Sequence, residues 1–211
     1  GMDERLVEKL GIWARAPQME EWDKLSESIN NLQSEVTVGI VGKYIDLTES
    51  YKSLNEALSH GGYHHRCDVK LKYIDAEEVE KQGTDCLAGV QGLLVPGGFG
   101  YRGVEGEIAT AQYARENKIP SLGICLGMQV AVIEYARNVV GWKDAQSTEF
   151  THDTTHPVVG LITEWTTAEG TTEVRSAESD LGGTMRLGGQ ECRLTPDSFT
   201  AKAYGKDIIT E

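Results

Sequence analysis

The 211 residues are enough for one sizeable α/β domain and short for two. With 33 acidic against 20 basic residues, a formal charge of −13 and no basic cluster, the chain excludes a nucleic-acid surface and points to a small substrate. No run approaches the roughly 20 apolar residues that span a bilayer, no signal-peptide pattern opens the chain, and Cys67, Cys86, Cys125 and Cys192 lack metal-ligand or disulfide-framework spacing, so a cytoplasmic protein with reduced thiols and no metal site is expected.

Gly1 before Met2 reads as the scar of a removed tag, ahead of a start inside a longer sequence. Residues 1–33 form an expected helical linker: a short helix at about 3–10, a break at Ala16-Pro17, and a second helix in which Trp22, Leu25, Ile29 and Leu32 recur at helical spacing. The main domain is expected to begin at 34. Val36 to Gly42 is the first buried strand, and Lys43 after it suggests a phosphate loop, but the glycine spacing is wrong and Tyr44 stands where Ser or Thr would meet magnesium. A helix from Tyr51 to His60 is expected to stop at Gly61-Gly62, and Cys67 to Ile74 alternates as a strand, which gives a parallel βαβ unit. Asp75 to Gly83 reads as a short acidic helix.

Val90 to Val95 is the next strand, and Pro96-Gly97-Gly98-Phe99-Gly100 turns out of it. Gly98, Gly100 and Gly103 satisfy G-x-G-x-x-G, yet they do not follow the first strand, and no acidic ribose ligand stands about twenty residues on. Residues 102–106 read as a charged turn before a helix at about 104–117.

The chemistry centres on Ser121-Leu122-Gly123-Ile124-Cys125-Leu126-Gly127-Met128-Gln129. Ile119 to Ile124 is a short apolar run suited to a buried strand, and Leu126 to Arg137 is helical and apolar nearly all round, as a core helix would be. Cys125 therefore falls at a strand-to-helix turn between Gly123 and Gly127, a nucleophile elbow. A helix N-terminus, which favours negative charge, would face the sulfur, and the next backbone N–H is free for an oxyanion. The Gly98 N–H is expected to face Cys125 across the mouth of the sheet and complete an oxyanion hole with the N–H of Leu126.

The run Gly123 to Gln129 resembles the elbow of the class I, triad-type glutamine amidotransferases. Val95-Pro96-Gly97-Gly98-Phe99-Gly100-Tyr101-Arg102-Gly103-Val104-Glu105-Gly106 and Asp180-Leu181-Gly182-Gly183-Thr184-Met185-Arg186-Leu187-Gly188 are similar, within that class, to the glutaminase domains of the CTP synthase family. The resemblance runs from about Asp3 to Glu211. It implies a flavodoxin-like, three-layer α/β sandwich with a mostly parallel sheet, flanking helices and an added antiparallel portion. It makes Cys125 the nucleophile, lines the glutamine pocket with Gly98, Leu126, Gly127, Met128 and Gln129, and gives Glu149 to the α-amino group of glutamine. Arg102, Gly103 and Glu105 become candidate contacts for GTP as an allosteric activator, although nothing in those residues alone demands it.

The same resemblance implies that ammonia passes to a synthetase domain of the same chain, which uses ATP and magnesium to convert UTP to CTP in a homotetramer. No cofactor is expected in residues 1–211. His60, His64, His65, His152 and His156 are the five histidines, and the last two read as solvated loop residues rather than a general base. The family's His-x-Glu pair and an arginine for the glutamine carboxylate would lie past Glu211, so the domain at 34–211 is expected to lack its C-terminal part. Between Val158–Ile162 and Thr184–Leu187, both strand-like, a hairpin region is expected, with two more short strands in Gln190 to Tyr204. A different class I amidotransferase, a γ-glutamyl hydrolase or a non-catalytic regulatory module stays open beside this reading.

Overall fold

The computed structural model describes residues 2–13, 18–45, 48–151, 153–160, 164–166, 172–174, 189 and 191–210. Packing divides the chain into two units, Gly1–Leu161 and Ile162–Glu211.

The first unit opens with α1 (Met2–Leu10) and α2 (Glu20–Asn30), neither of which buries a residue. It is then built on β1 (Ser34–Gly42), β2 (Cys67–Asp75), β3 (Gly92–Val95) and β4 (Ser121–Gly123), a fully parallel sheet in the order β2-β1-β3-β4. Parallel neighbours need crossovers, supplied by α3 (Lys52–His64), α4 (Ala76–Gln82) and α5 (Val104–Asn117), and α6 (Leu126–Tyr135) follows β4. The step from β1 to β2 runs one way along the sheet, and those from β2 to β3 and β3 to β4 run the other. Right-handed crossovers therefore put α3 on one face and α4 and α5 on the other. The packing agrees: α3 lies on β2, while α5 touches both α4 and α6. Strand order reverses between β1 and β3, and in such sheets the crevice beyond the carboxyl ends of those strands is where ligands sit.

The core is the apolar filling between these layers. Val41, Ile74, Leu93 and Val95 from the strands meet Val79, Val104, Ile108, Leu126, Val130 and Ile133 from the helices. After α6 the backbone widens into a π-turn over Ala136–Val140, and β5 (Gln146–Ser147) pairs in parallel with β6 (Pro157–Val159).

In the second unit β7 (Glu164–Thr166) and β8 (Thr172–Val174) form an antiparallel hairpin. There β9 (Glu191–Arg193) pairs antiparallel with β10 (Ile208–Thr210), on either side of α7 (Phe199–Tyr204). The mostly parallel sheet with flanking helices and added antiparallel strands is the architecture implied by the sequence resemblance.

Several expectations need correction. Helix α3 does not stop at Gly61-Gly62 but runs on to His64, because neither glycine takes the left-handed φ of a helix stop; Gly62 is a packing residue, where a Cβ would lie 2.6 Å from the Cys67 carbonyl oxygen. The strand expected from Val90 begins only at Gly92. Helix α6 is not enclosed all round: Leu126, Val130 and Ile133 are buried, whereas Met128, Val132 and Tyr135 are exposed. One of the two strands expected in Gln190 to Tyr204 is α7, started by the Ser198 hydroxyl accepting from the Ala201 N–H. The strand expected at Thr184–Leu187, the break at Ala16-Pro17, His152 and the Asp180–Gly188 motif lie outside the described residues.

Candidate active site

Local sequence builds the elbow. Cys125 ends the segment after β4 and is the N-cap of α6, with φ 55° and ψ −108°, a conformation costly for a residue with a Cβ. It is held in place by main-chain bonds: Ile124 N–H donates to Val95 O at 2.9 Å, Gly127 N–H to Ile124 O at 3.0 Å, and Gln129 N–H to Cys125 O at 3.2 Å. The two flanking glycines are there for approach. A Cβ on Gly127 would run into the Val95 carbonyl oxygen, and one on Gly123 into the backbone of Gly127. The result is an exposed thiol at the carboxyl edge of the sheet, on the N-terminus of a helix.

The loop after β3 supplies the opposite wall. Gly97 is its closest glycine to the thiol, since a Cβ there would sit 3.4 Å from the Cys125 Cβ and 3.8 Å from its Sγ. The missing side chain of Gly98 faces Leu126 and Lys43 instead. Of the four residues after the cysteine, Leu126 and Gly127 are buried, Met128 is exposed and Gln129 half-buried. Glu149 reaches the same loop: its Oε1 accepts from the Gly100 N–H at 3.1 Å. The structure thus brings Cys125, the glycine loop and Glu149 to one edge of the first unit. Among the described residues no histidine hydrogen-bonds to the Cys125 sulfur.

Sequence reasoning missed Lys43. Discarded as a phosphate-loop lysine, it is 6 % exposed at the end of β1, and its Nζ donates to Gly100 O and, at 3.4 Å, to Phe99 O. Its pKa is lowered by burial, against the attraction of Glu107 and Glu149, with Arg102 reinforcing the fall. Glu107 on α5 is 1 % exposed with one carboxyl oxygen unpartnered, and burial pushes its pKa up to about 7 against the pull of Lys43. No signal in the local pattern marks either as part of a site.

The candidate effector residues serve the turn. Arg102 donates to Glu77 Oε1 at 2.7 Å and to the Lys43 carbonyl at 2.8 Å, Gly103 caps α5 at φ 72°, and Glu105 accepts from Arg137 at 2.8 Å. Arg102 is half exposed beside Glu77. His156 is not the solvated residue expected. Its ring stacks on Trp142 at 4.9 Å, and its Nδ1 lies 2.5 Å from Asp144 Oδ1. Hydrogen bonds from Thr155 and then His156 hold the Asp144 carboxyl below the usual carboxylate range.

A family model described as glutamine amidotransferase class-I matches residues 46–211. Among solved structures the chain is similar to "CTPS - glutaminase domain with bound acivicin" from Trypanosoma brucei, at 39 % identity and a TM-score of 0.69. That alignment covers 83 % of this chain and 65 % of the other, so this sequence spans a little under two thirds of the relative's length. An elbow cysteine against a glycine loop, on a sheet of this order, in a sequence matched over most of its length, places the chain in the class I glutamine amidotransferase family.

Proposed function

We propose that the chain is the glutaminase part of a CTP synthase and that Cys125 is its nucleophile. The observation that carries the reading is the elbow: a cysteine at positive φ between a parallel strand and a helix N-terminus, with a glycine loop against it. The Cys125 sulfur attacks the side-chain amide carbon of L-glutamine. The C–N bond breaks, ammonia leaves with the thiol proton, and water then cleaves the γ-glutamyl thioester to glutamate and free thiol. Main-chain N–H groups of Gly98 and Leu126 stabilise the oxyanion of each tetrahedral intermediate. Glutamine is oriented by Met128, Gln129 and the main chain of Gly127, with the second Glu149 oxygen available to its α-ammonium.

The relative that shares 39 % identity is described with bound acivicin, a glutamine analogue, which supports the choice of substrate. In the whole protein the ammonia passes to a synthetase domain of the same chain. That domain uses ATP and magnesium to aminate UTP, under activation by GTP and in a cytoplasmic homotetramer. With the synthetase domain present, Cys125→Ala is expected to lower glutamine-dependent ammonia release by at least about 10³-fold while CTP formation from added ammonia persists. Retained glutaminase activity in that variant would remove the mechanism, and turnover of γ-glutamyl peptides in preference to glutamine would reassign the chain to the hydrolases.

A further inference from the structure

We infer that Lys43 is a positioning residue of the glutaminase site: its buried ammonium grips the Phe99 and Gly100 carbonyls and so fixes the backbone loop that faces Cys125. This rests on the proposed glutaminase reading and deepens it.

A lysine 6 % exposed overall is expensive to keep charged unless its donors are used, and Leu or Met would pack the same space without that cost. Both hydrogen bonds of Nζ go to main-chain carbonyls of one loop, 56 and 57 residues away in sequence. The other side of that loop is held by a side chain of opposite charge, since Glu149 accepts from the Gly100 N–H at 3.1 Å. Gly100 thus has its carbonyl tied to a cation inside and its N–H tied to an anion at the rim. Its φ of 74° is the left-handed region, where a glycine would otherwise be free to turn.

The clamp reaches the thiol through adjacent groups. A Cβ on Gly98 would be 3.4 Å from the Lys43 Cδ and 3.3 Å from a Leu126 methyl, so the lysine stem also supports the glycine whose N–H is assigned to the oxyanion. The next glycine back, Gly97, is the one against Cys125. Lys43 itself is fixed from behind, its carbonyl accepting from Arg102, which is anchored on Glu77 of α4. The charged and titratable groups around it are Glu107 of α5, Glu149, Arg102 and, beyond Glu107, Tyr51. All of this lies where the carboxyl ends of β1 and β3 open the crevice. An oxyanion donor helps only if it is held in place before the charge develops, and the Lys43 clamp provides that hold.

The test uses the full-length protein, with ammonia release and Cys125 alkylation by iodoacetamide measured side by side. Lys43→Met is expected to lower kcat for ammonia release about tenfold or more, with KM changed less than about twofold. Alkylation of Cys125 should stay within about twofold, because main-chain bonds of Ile124, Gly127 and Gln129, none of them to Phe99 or Gly100, hold the elbow. Lys43→Arg, which keeps charge and donors, should recover kcat to within about threefold of wild type. If Lys43→Met does not fold, Lys43→Gln takes its place under the same criterion. Unchanged kcat, or a loss that Arg does not repair and that alkylation follows in proportion, would overturn the inference. A wild-type protein that releases no ammonia, or a Cys125→Ala variant that still does, would sink the glutaminase reading and this inference with it.

Discussion

Glu107 ties stability to pH through a single buried carboxyl. In the folded chain it keeps its proton up to about pH 7, whereas in the unfolded chain an ordinary carboxyl releases it near 4.5. Between those values the folded state binds more protons, so stability falls as pH rises through that window and is lowest above it. The penalty at pH 8 is on the order of 3 kcal/mol for a shift of that size. Glu107→Gln keeps the shape and never ionises, so urea unfolding at pH 8 should show it more stable than wild type by about 2–3 kcal/mol, with the two converging near pH 4.5. Equal stability at pH 8 would mean that water or Lys43 solvates the carboxylate. The same residues show what was legible. Cys125 and its glycines could be read because strand, nucleophile and helix are consecutive. Lys43, Glu107 and the Glu149 bond to Gly100 could not, because each joins positions tens of residues apart and only the sheet order brings them together. His156 reads as solvated for a different reason: the loop folds back on itself, and Asp144 and Trp142, only twelve and fourteen residues away, capture the ring.

At the scale of elements, α3 offers a paired test in two adjacent glycines. Both lie inside the helix, where Gly costs about 0.5–1 kcal/mol relative to Ala. Nothing lies within 4 Å of a Cβ on Gly61, whereas one on Gly62 would meet the Cys67 carbonyl oxygen at 2.6 Å and a Val69 methyl at 2.7 Å. Gly61→Ala should therefore stabilise by about 0.5–1 kcal/mol and Gly62→Ala should destabilise by about 1–3 kcal/mol, since β2 must move away from the helix. Denaturant midpoints decide it, and two changes of the same sign would refute the assignment of Gly62 to packing. This pair also marks the limit of reading elements from sequence. Period and punctuation located β1, β2, α4, α5 and the elbow, because an apolar or alternating strand and a helix bounded by turn residues each leave a local pattern. Asp75, accepting from the Glu77 N–H at 2.8 Å, is such a cap at the start of α4. Gly61-Gly62 carries the signature of a helix end, and only the position of β2 across the interface shows that it is not one. At Phe199 to Tyr204 the cap at Ser198 outweighs a strand-like run of side chains.

Over the whole molecule the excess of 13 negative charges acts on every state of the chain, and most strongly on the folded one, which holds them closer together. Exposed pairs such as Lys70–Asp68, Lys81–Glu77 and Arg193–Glu191 work the other way, but each is solvated, individually weak and weakened further by salt. Arg115–Glu134 and Arg137–Glu105 are better shielded, since Glu134 is 3 % exposed and Arg137 18 %, so they respond less to added ions. With 33 carboxylates against 20 cations, pairing cannot neutralise the surface, and repulsion is the larger salt-sensitive effect. Raising sodium chloride from 0.01 M to 1 M shortens the screening length from about 30 Å to about 3 Å, which removes repulsion between distant charges and leaves contact pairs partly intact. The urea midpoint at pH 7.5 should therefore rise with salt. At pH 5, close to the sequence pI of 4.8, the net charge that drives this is nearly gone, and the midpoint should be flat or fall as the remaining pairs are screened. A salt response of the same sign and size at both pH values would show that ion exclusion, and not the charge excess, sets it.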